Sequence, residues 1–135
     1  MTDVFTRAQR SWVMSRVPAK DTTPEMAVRS LVHRLGYRFR LHRSDLPGCP
    51  DIVFPSRKKA IFVHGCFWHG HTCRRGARKP ASNASYWRRK IESNRKRDIR
   101  VRQTLRSIGW NSLAIWECQT RDSDSLRKRI RAFLQ

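Results

Sequence analysis

Acidic side chains are scarce in this chain: ten Asp and Glu stand against thirty Lys and Arg, a formal net charge of +20. Self-repulsion on that scale opposes a compact fold unless a polyanion usually neutralises it. Nucleic acid is the expected partner, because each Lys or Arg that meets a phosphate releases condensed counterions. A ribosomal or histone-like protein would be equally basic, so charge does not separate an enzyme from a packaging protein. No run of residues approaches the roughly 20 apolar positions of a membrane span, and residues 1–5 lack the apolar stretch of a secretory signal. No membrane partner and a cytoplasmic location are therefore expected. Repeats and linker-like segments are also missing, and 135 residues with 39% hydrophobic content make one core, so residues 1–135 read as a single domain. Without a secretion signal, Cys49, Cys66, Cys73 and Cys118 read as metal ligands or buried apolar residues rather than disulfides.

What is present has a clear periodicity. Residues 1–20 form an N-terminal arm whose positions 8–17 suit a short basic helix carrying Trp12, Val13, Met14 and Val17. Thr22 and Glu25 then stand at capping-box spacing, with Pro24 in the first turn. Val28, Leu31, Val32 and Leu35 give the second helix one apolar face, and Gly36 closes it. Residues 37–42 alternate as a half-buried strand, with Tyr37, Phe39 and Leu41 on one side. The turn-rich segment 46–50 leads into a strand at 51–54, a hairpin connection at 55–59 and a buried strand at 60–63. A long helix is expected over 85–108, its inner stripe at positions 87, 91, 94, 98, 101, 105 and 108. Asn94 and Asp98 fall on that stripe and need polar partners there. A strand at 110–116 and a last helix with Leu126, Ile130 and Phe133 complete an α/β order: a sheet with helices on both faces.

Between the third strand and the long helix, Cys66-Phe67-Trp68-His69-Gly70-His71-Thr72-Cys73 packs two cysteines and two histidines into eight residues. Thiolates and imidazoles at this density suit tetrahedral Zn2+. Cys118, just after the last strand, is the candidate fourth ligand. Spacing alone leaves open which histidine binds. A closed site of this kind would be structural, ordering a loop too irregular to bury much apolar surface. Cys49, apart from the cluster, reads as a small loop or core residue.

Asp51 opens one strand of the hairpin and His64 follows the other, so antiparallel pairing can bring them together. A carboxylate there can hold Mg2+, and a neutral imidazole, His64 or His69, can take a proton from an attacking water. A lone Asp after proline more often caps a turn, and Glu25 is a capping residue before it is a second carboxylate beside a metal. A non-catalytic zinc-containing nucleic-acid-binding protein would explain the charge and the cysteines, but not an acid placed beside histidines in a chain so poor in acids.

Leu46-Pro47-Gly48-Cys49-Pro50-Asp51-Ile52-Val53 and Ile61-Phe62-Val63-His64-Gly65-Cys66-Phe67-Trp68-His69-Gly70-His71-Thr72-Cys73 resemble the very short patch repair (Vsr) DNA mismatch endonucleases. Met14, Asp21-Thr22 with Glu25, Pro80-Ala81, Tyr86-Trp87, Lys90-Ile91, Asn94, Arg97-Asp98, Gly109-Trp110 and Ile115-Trp116-Glu117-Cys118 continue the likeness along nearly the whole chain. The resemblance implies a restriction-endonuclease-like fold with a structural zinc site, and nicking 5′ of the thymine in a T·G mismatch to leave a 5′-phosphate. It implies Asp51 and the Val63 carbonyl as Mg2+ ligands with Glu25 nearby, His69 activating water, and His64 assisting in the hydrated metal shell. Zn2+ would sit on Cys66, His71, Cys73 and Cys118. Phe67, Trp68 and Trp87 would form a wedge into DNA with Met14 opposite, and Lys90 and Asn94 would contact the mismatched bases. Expected partners are duplex DNA carrying T·G and other mismatch-repair proteins; a monomer suffices for a single-strand nick. Two departures stand out: Val63 replaces the family's usual threonine, and residues 74–79 are more basic. A nuclease of the same fold without mismatch specificity, tied to restriction, is the alternative.

Overall fold

A computed structural model of the chain describes residues 22–66, 69, 71, 73 and 83–135. The expected helix at 8–17 and the wedge residues Met14, Phe67 and Trp68 lie outside them. Helix α1 (Thr23–Arg34) begins where Thr22 Oγ1 accepts the Glu25 N–H at 3.3 Å, supplying one of the orphan donors of a helix start. Gly36, at φ +87°, turns the chain out of it. The strands are β1 (Arg40–Leu41), β2 (Ile52–Phe54), β3 (Lys59–His64) and β4 (Asn111–Trp116), lying in that order in one sheet. β1, β2 and β3 pair antiparallel, while β3 and β4 run parallel. A parallel pair needs a long crossover, and helix α2 (Ala84–Ser107) lies within it. Helix α3 (Ser123–Leu134) follows a 3-10 turn at Glu117–Arg121 and is capped by Asp122, which accepts the Ser125 N–H.

The strand expected over 37–42 is shorter in the structure. Only Arg40 and Leu41 pair, because β2 offers just three residues and His42 turns away at φ 49°. Tyr37 and Phe39 still pack on the core as the alternation requires. The long helix was expected over 85–108 and spans Ala84–Ser107, with Ile108 left half-exposed beyond its end. In α3 the deeply buried residues are Leu126, Ile130 and Leu134, a strict four-residue repeat, and Phe133 is only half-buried.

One hydrophobic core joins Val28, Leu31 and Val32 of α1 to Ile52, Phe54, Ile61 and Ile115 of the sheet and to the buried stripe of α3. Strand alternation turns Phe62 and Ala114 to the opposite face. There α2 packs against β4, with Trp87 and Leu105 buried and both Val101 and Phe62 close to Gly48. The result is a four-strand mixed sheet flanked by helices. No described helix is long and apolar enough to cross a membrane.

Candidate active site and metal centres

The buried polar side chains among the described residues are Glu25, His64 and Asn94. All three belong to positions that the sequence singled out. Burying a polar group without partners is costly, and no buried side-chain nitrogen or oxygen of the described residues lacks one.

Asp51 leads into β2. Its Oδ2 accepts the Val63 N–H at 2.7 Å, tying it across the hairpin to β3. Its carboxyl is also hydrogen-bonded to that of Glu25, and Glu25 Oε2 lies 2.9 Å from His42 Nε2 and 3.4 Å from Arg29 Nη1. Burial pushes the Asp51 carboxyl up to about 6; the Val63 N–H opposes the rise and the adjacent Glu25 adds to it. Two buried carboxyls in contact repel once both ionise, and a divalent cation relieves that repulsion. Glu25, His42 and Asp51 each offer a donor atom within 4.8 Å of the others, a spacing that fits one such cation.

His64 was expected beside Asp51, but the two belong to separate clusters along one open cleft. The last residue of β3, His64 stacks on Phe62 (ring centroids 5.9 Å apart) and lies 4.0 Å from the His69 ring and 5.1 Å from Trp116. Burial, and then the neighbouring His69, lowers its pKa to about 4, so it is neutral at pH 7. His69 Nδ1 lies 2.6 Å from Asp98 Oδ2. Burial acts to raise the Asp98 carboxyl, but its hydrogen bond and attraction to His69 outweigh this and lower it. This dyad answers the polar position noticed on the inner stripe of the long helix. Asp98 was not singled out as a functional residue; its place among apolar stripe positions was the available signal.

At the far side of Trp116, whose ring stacks on His71 at 4.2 Å, stands the cysteine–histidine cluster. Cys66, His71, Cys73 and Cys118 bring one donor atom each within 4.8 Å of the others. Cys118 Sγ lies 3.6 Å from His71 Nδ1, and the Cys118 N–H donates to Cys66 Sγ at 3.4 Å. A tetrahedral zinc ion would separate its sulfur and nitrogen ligands by about 3.6 Å, so this donor set fits. Burial pushes the Cys66 thiol up to about 12, against the Cys118 N–H and aided by the Cys73 and Cys118 side chains. The cluster could hold a metal ion, which would displace the thiol protons on binding. His71, not His69, groups with the cysteines. Cys49 is exposed and apart from them.

On α2, Asn94 is buried and Lys90 exposed. Trp87, expected in the DNA wedge, is 7% exposed and edge-on to Tyr86 at 5.0 Å. Its ring packs within the protein and would have to be uncovered to enter DNA. The cleft between the clusters is also lined by Arg95, Arg97 and Arg102 of α2.

The family model of the DNA mismatch endonuclease Vsr matches residues 2–75. The type II nicking enzyme V.XorIIP of Xanthomonas oryzae pv. oryzae is 53% identical over 134 residues, covering 99% of this chain and 98% of the relative. The type II nicking enzyme V.NmeAIP of Neisseria meningitidis is 40% identical over 130 residues, 96% of this chain and 92% of the relative. The DNA mismatch endonuclease Vsr of Escherichia coli K12 is 39% identical over 126 residues, 93% of this chain and 80% of the relative. Identity at this level along nearly the full length leaves one conclusion: the chain belongs to the Vsr family of DNA mismatch endonucleases and is a DNA endonuclease.

Proposed function

We propose that this endonuclease nicks duplex DNA 5′ of the thymine in a T·G mismatch, with Mg2+ at Asp51 and Zn2+ as a structural staple, on a restriction-endonuclease-like fold. The observation that carries the reading is the 2.6 Å pair of His69 and Asp98 opening into the same cleft as Asp51. With Nδ1 engaged by the Asp98 carboxylate, the His69 ring holds its proton there and leaves Nε2 to accept one from water. Neutral His64 beside it adds no positive charge that would hinder that transfer, and it can donate or accept a hydrogen bond. Asp51, the Val63 carbonyl and Glu25 would hold Mg2+, which stabilises charge on the reacting phosphate when bound. Because a main-chain carbonyl is involved, valine at position 63 keeps that ligand. Arg95, Arg97 and Arg102 take up phosphates and set register without reading sequence.

Zn2+ on Cys66, His71, Cys73 and Cys118 orders the loop that presents Phe67 and Trp68 to a base step weakened by the wobble pair. Met14 enters from the other side, Trp87 backs the wedge, and Lys90 and Asn94 contact the mismatched bases. One cleft serves one nick, so the enzyme works as a monomer, in the cytoplasm, alongside other mismatch-repair proteins.

A second reading is a nuclease of the same fold, tied to restriction, that does not require the mismatch; relatives named type II nicking enzymes are consistent with nicking under either reading. Matched duplexes, one with T·G and one fully paired, separate the two in a nicking assay with Mg2+. Selective nicking 5′ of the mismatched thymine, lost in Asp51→Ala and slowed about 100-fold or more in Asp98→Asn at unchanged DNA affinity, is the expected result. Equal cutting of both duplexes would favour the second reading. DNA binding without cutting, across varied flanking sequences, would leave only a zinc-containing binding module.

A further inference from the structure

The Glu25–Asp51 pair has a third member with no part in the chemistry above. His42 follows β1, and its N–H donates to the Asp51 carbonyl at 3.1 Å, so its backbone is fastened to the residue that opens β2. Its side chain reaches Glu25: Nε2 stands 2.9 Å from Oε2. The Glu25 side chain is 2% exposed and that of His42 is 21% exposed. A shielded carboxylate therefore sits behind an imidazole that still meets the cleft. The other histidines of the cleft, His64 and His69, are engaged elsewhere and group with Asp98.

Around an octahedral ion with bonds of about 2.1 Å, adjacent ligand atoms lie about 3 Å apart and opposite ones about 4.2 Å apart. The 2.9 Å between His42 and Glu25 matches an adjacent pair, and the three donors, all within 4.8 Å of one another, need only a small inward shift to surround one ion. We propose that His42 is a direct ligand of the divalent ion held by Glu25 and Asp51. The site is then a mixed nitrogen–oxygen one that favours Mn2+ and Co2+ over Mg2+ beyond what an all-oxygen site would. The assignment rests on Asp51 being a metal ligand, as read above. Imidazole suits later divalent metals, whereas Mg2+ prefers hard oxygen donors and gives up water reluctantly. A histidine that merely hydrogen-bonds Glu25 would confer no such preference.

The test uses the zinc-loaded full chain and Mn2+ as the probe, with no DNA and no turnover. Electron spin-echo modulation of bound Mn2+ reads a directly bonded imidazole nitrogen. Titration gives the Mn2+ and Mg2+ affinities of wild type, His42→Gln and Asp51→Ala. The expected result is a nitrogen signal in wild type that disappears in His42→Gln. Mn2+ affinity should fall about 10- to 100-fold in that variant and Mg2+ affinity by clearly less. A nitrogen signal that persists in His42→Gln would overturn the assignment, because another histidine would then be the donor. So would a wild-type spectrum without nitrogen, which needs no variant to fold. If Asp51→Ala abolishes Mn2+ binding in that case, the reading of Asp51 as a metal ligand stands without His42. Mn2+ binding unchanged in Asp51→Ala would sink both.

Discussion

Asp51 and His64 place opposite demands on pH within one cleft. Burial raises the folded-state pKa of Asp51 from its ordinary 3.8 to about 6, helped by Glu25. A raised folded pKa means that the folded chain holds this proton more tightly, so its stabilising effect is complete below about pH 4 and is lost as pH rises through about 6. Burial and His69 depress His64 from 6.5 to about 4, so its contribution is present above 6.5 and is lost as pH falls through about 4. The two slopes oppose each other over the same window and largely cancel. Asp51→Asn removes one of them. Without added Mg2+, its unfolding free energy relative to wild type should climb as pH rises from 4 to 6.5, by on the order of 2–3 kcal/mol. Thermal or urea unfolding across that range checks it, and a pH-independent difference would contradict the buried environment assigned to Asp51.

Secondary-structure elements set where these side chains arrive, and the contact between the 46–50 loop and α2 shows how tightly. Gly48 has φ +76°, and a Cβ there would stand 2.5 Å from Val101 Cγ1 and 3.2 Å from Phe62 Cε1. The loop is wedged between α2 and β3 just before it delivers Asp51. Gly48→Ala therefore adds a left-handed backbone penalty to a clash with a stiff β-branched side chain, together about 2–4 kcal/mol. Val101→Ala removes the clash but not the backbone penalty. A double-mutant cycle by urea unfolding should find Gly48→Ala milder by about 1 kcal/mol or more in the Val101→Ala background. Additive effects would mean that α2 does not confine this loop.

For the molecule as a whole, the cysteine–histidine cluster closes the crossover between the parallel strands. Cys66 follows the end of β3 and Cys118 the end of β4, and Trp116 lies between their cluster and the His64–His69 pair. Under a net charge of +20, that junction has to resist self-repulsion before DNA arrives to neutralise it. Removing the metal with a soft-donor chelator, Mg2+ kept in excess, should lower Tm by about 10 °C or more and abolish nicking. Cys118→Ser should act in the same direction and lose the bound metal, read by elemental analysis. Asp51→Ala should abolish nicking with Tm nearly unchanged near neutral pH or higher. An unaltered Tm after metal loss would refute the staple.

Contiguous sequence was enough for much of this. Composition pointed to a polyanionic partner, periodicity placed α2 within one residue at either end, and Thr22 marked the start of α1. These features depend on neighbours three or four positions apart, where spacing alone decides which side chains share a face. The density of cysteine and histidine over 66–73 likewise marked a metal cluster, while the choice of His71 came from likeness to the Vsr family. Tertiary structure decided the rest. His69 and Asp98 stand 29 positions apart, and Glu25 and His42 17 apart, separations spanned by a crossover and a turn whose paths no local pattern specifies. Hairpin logic joined Asp51 to β3, where its hydrogen bond is to Val63, the residue before His64. Register placed the Val63 N–H on its carboxylate, whereas His64 turned to Phe62, His69 and Trp116. Burial set the charge of each group, because the surroundings that keep Asp51 protonated to about pH 6 and His64 neutral exist only once the helices have closed over the sheet.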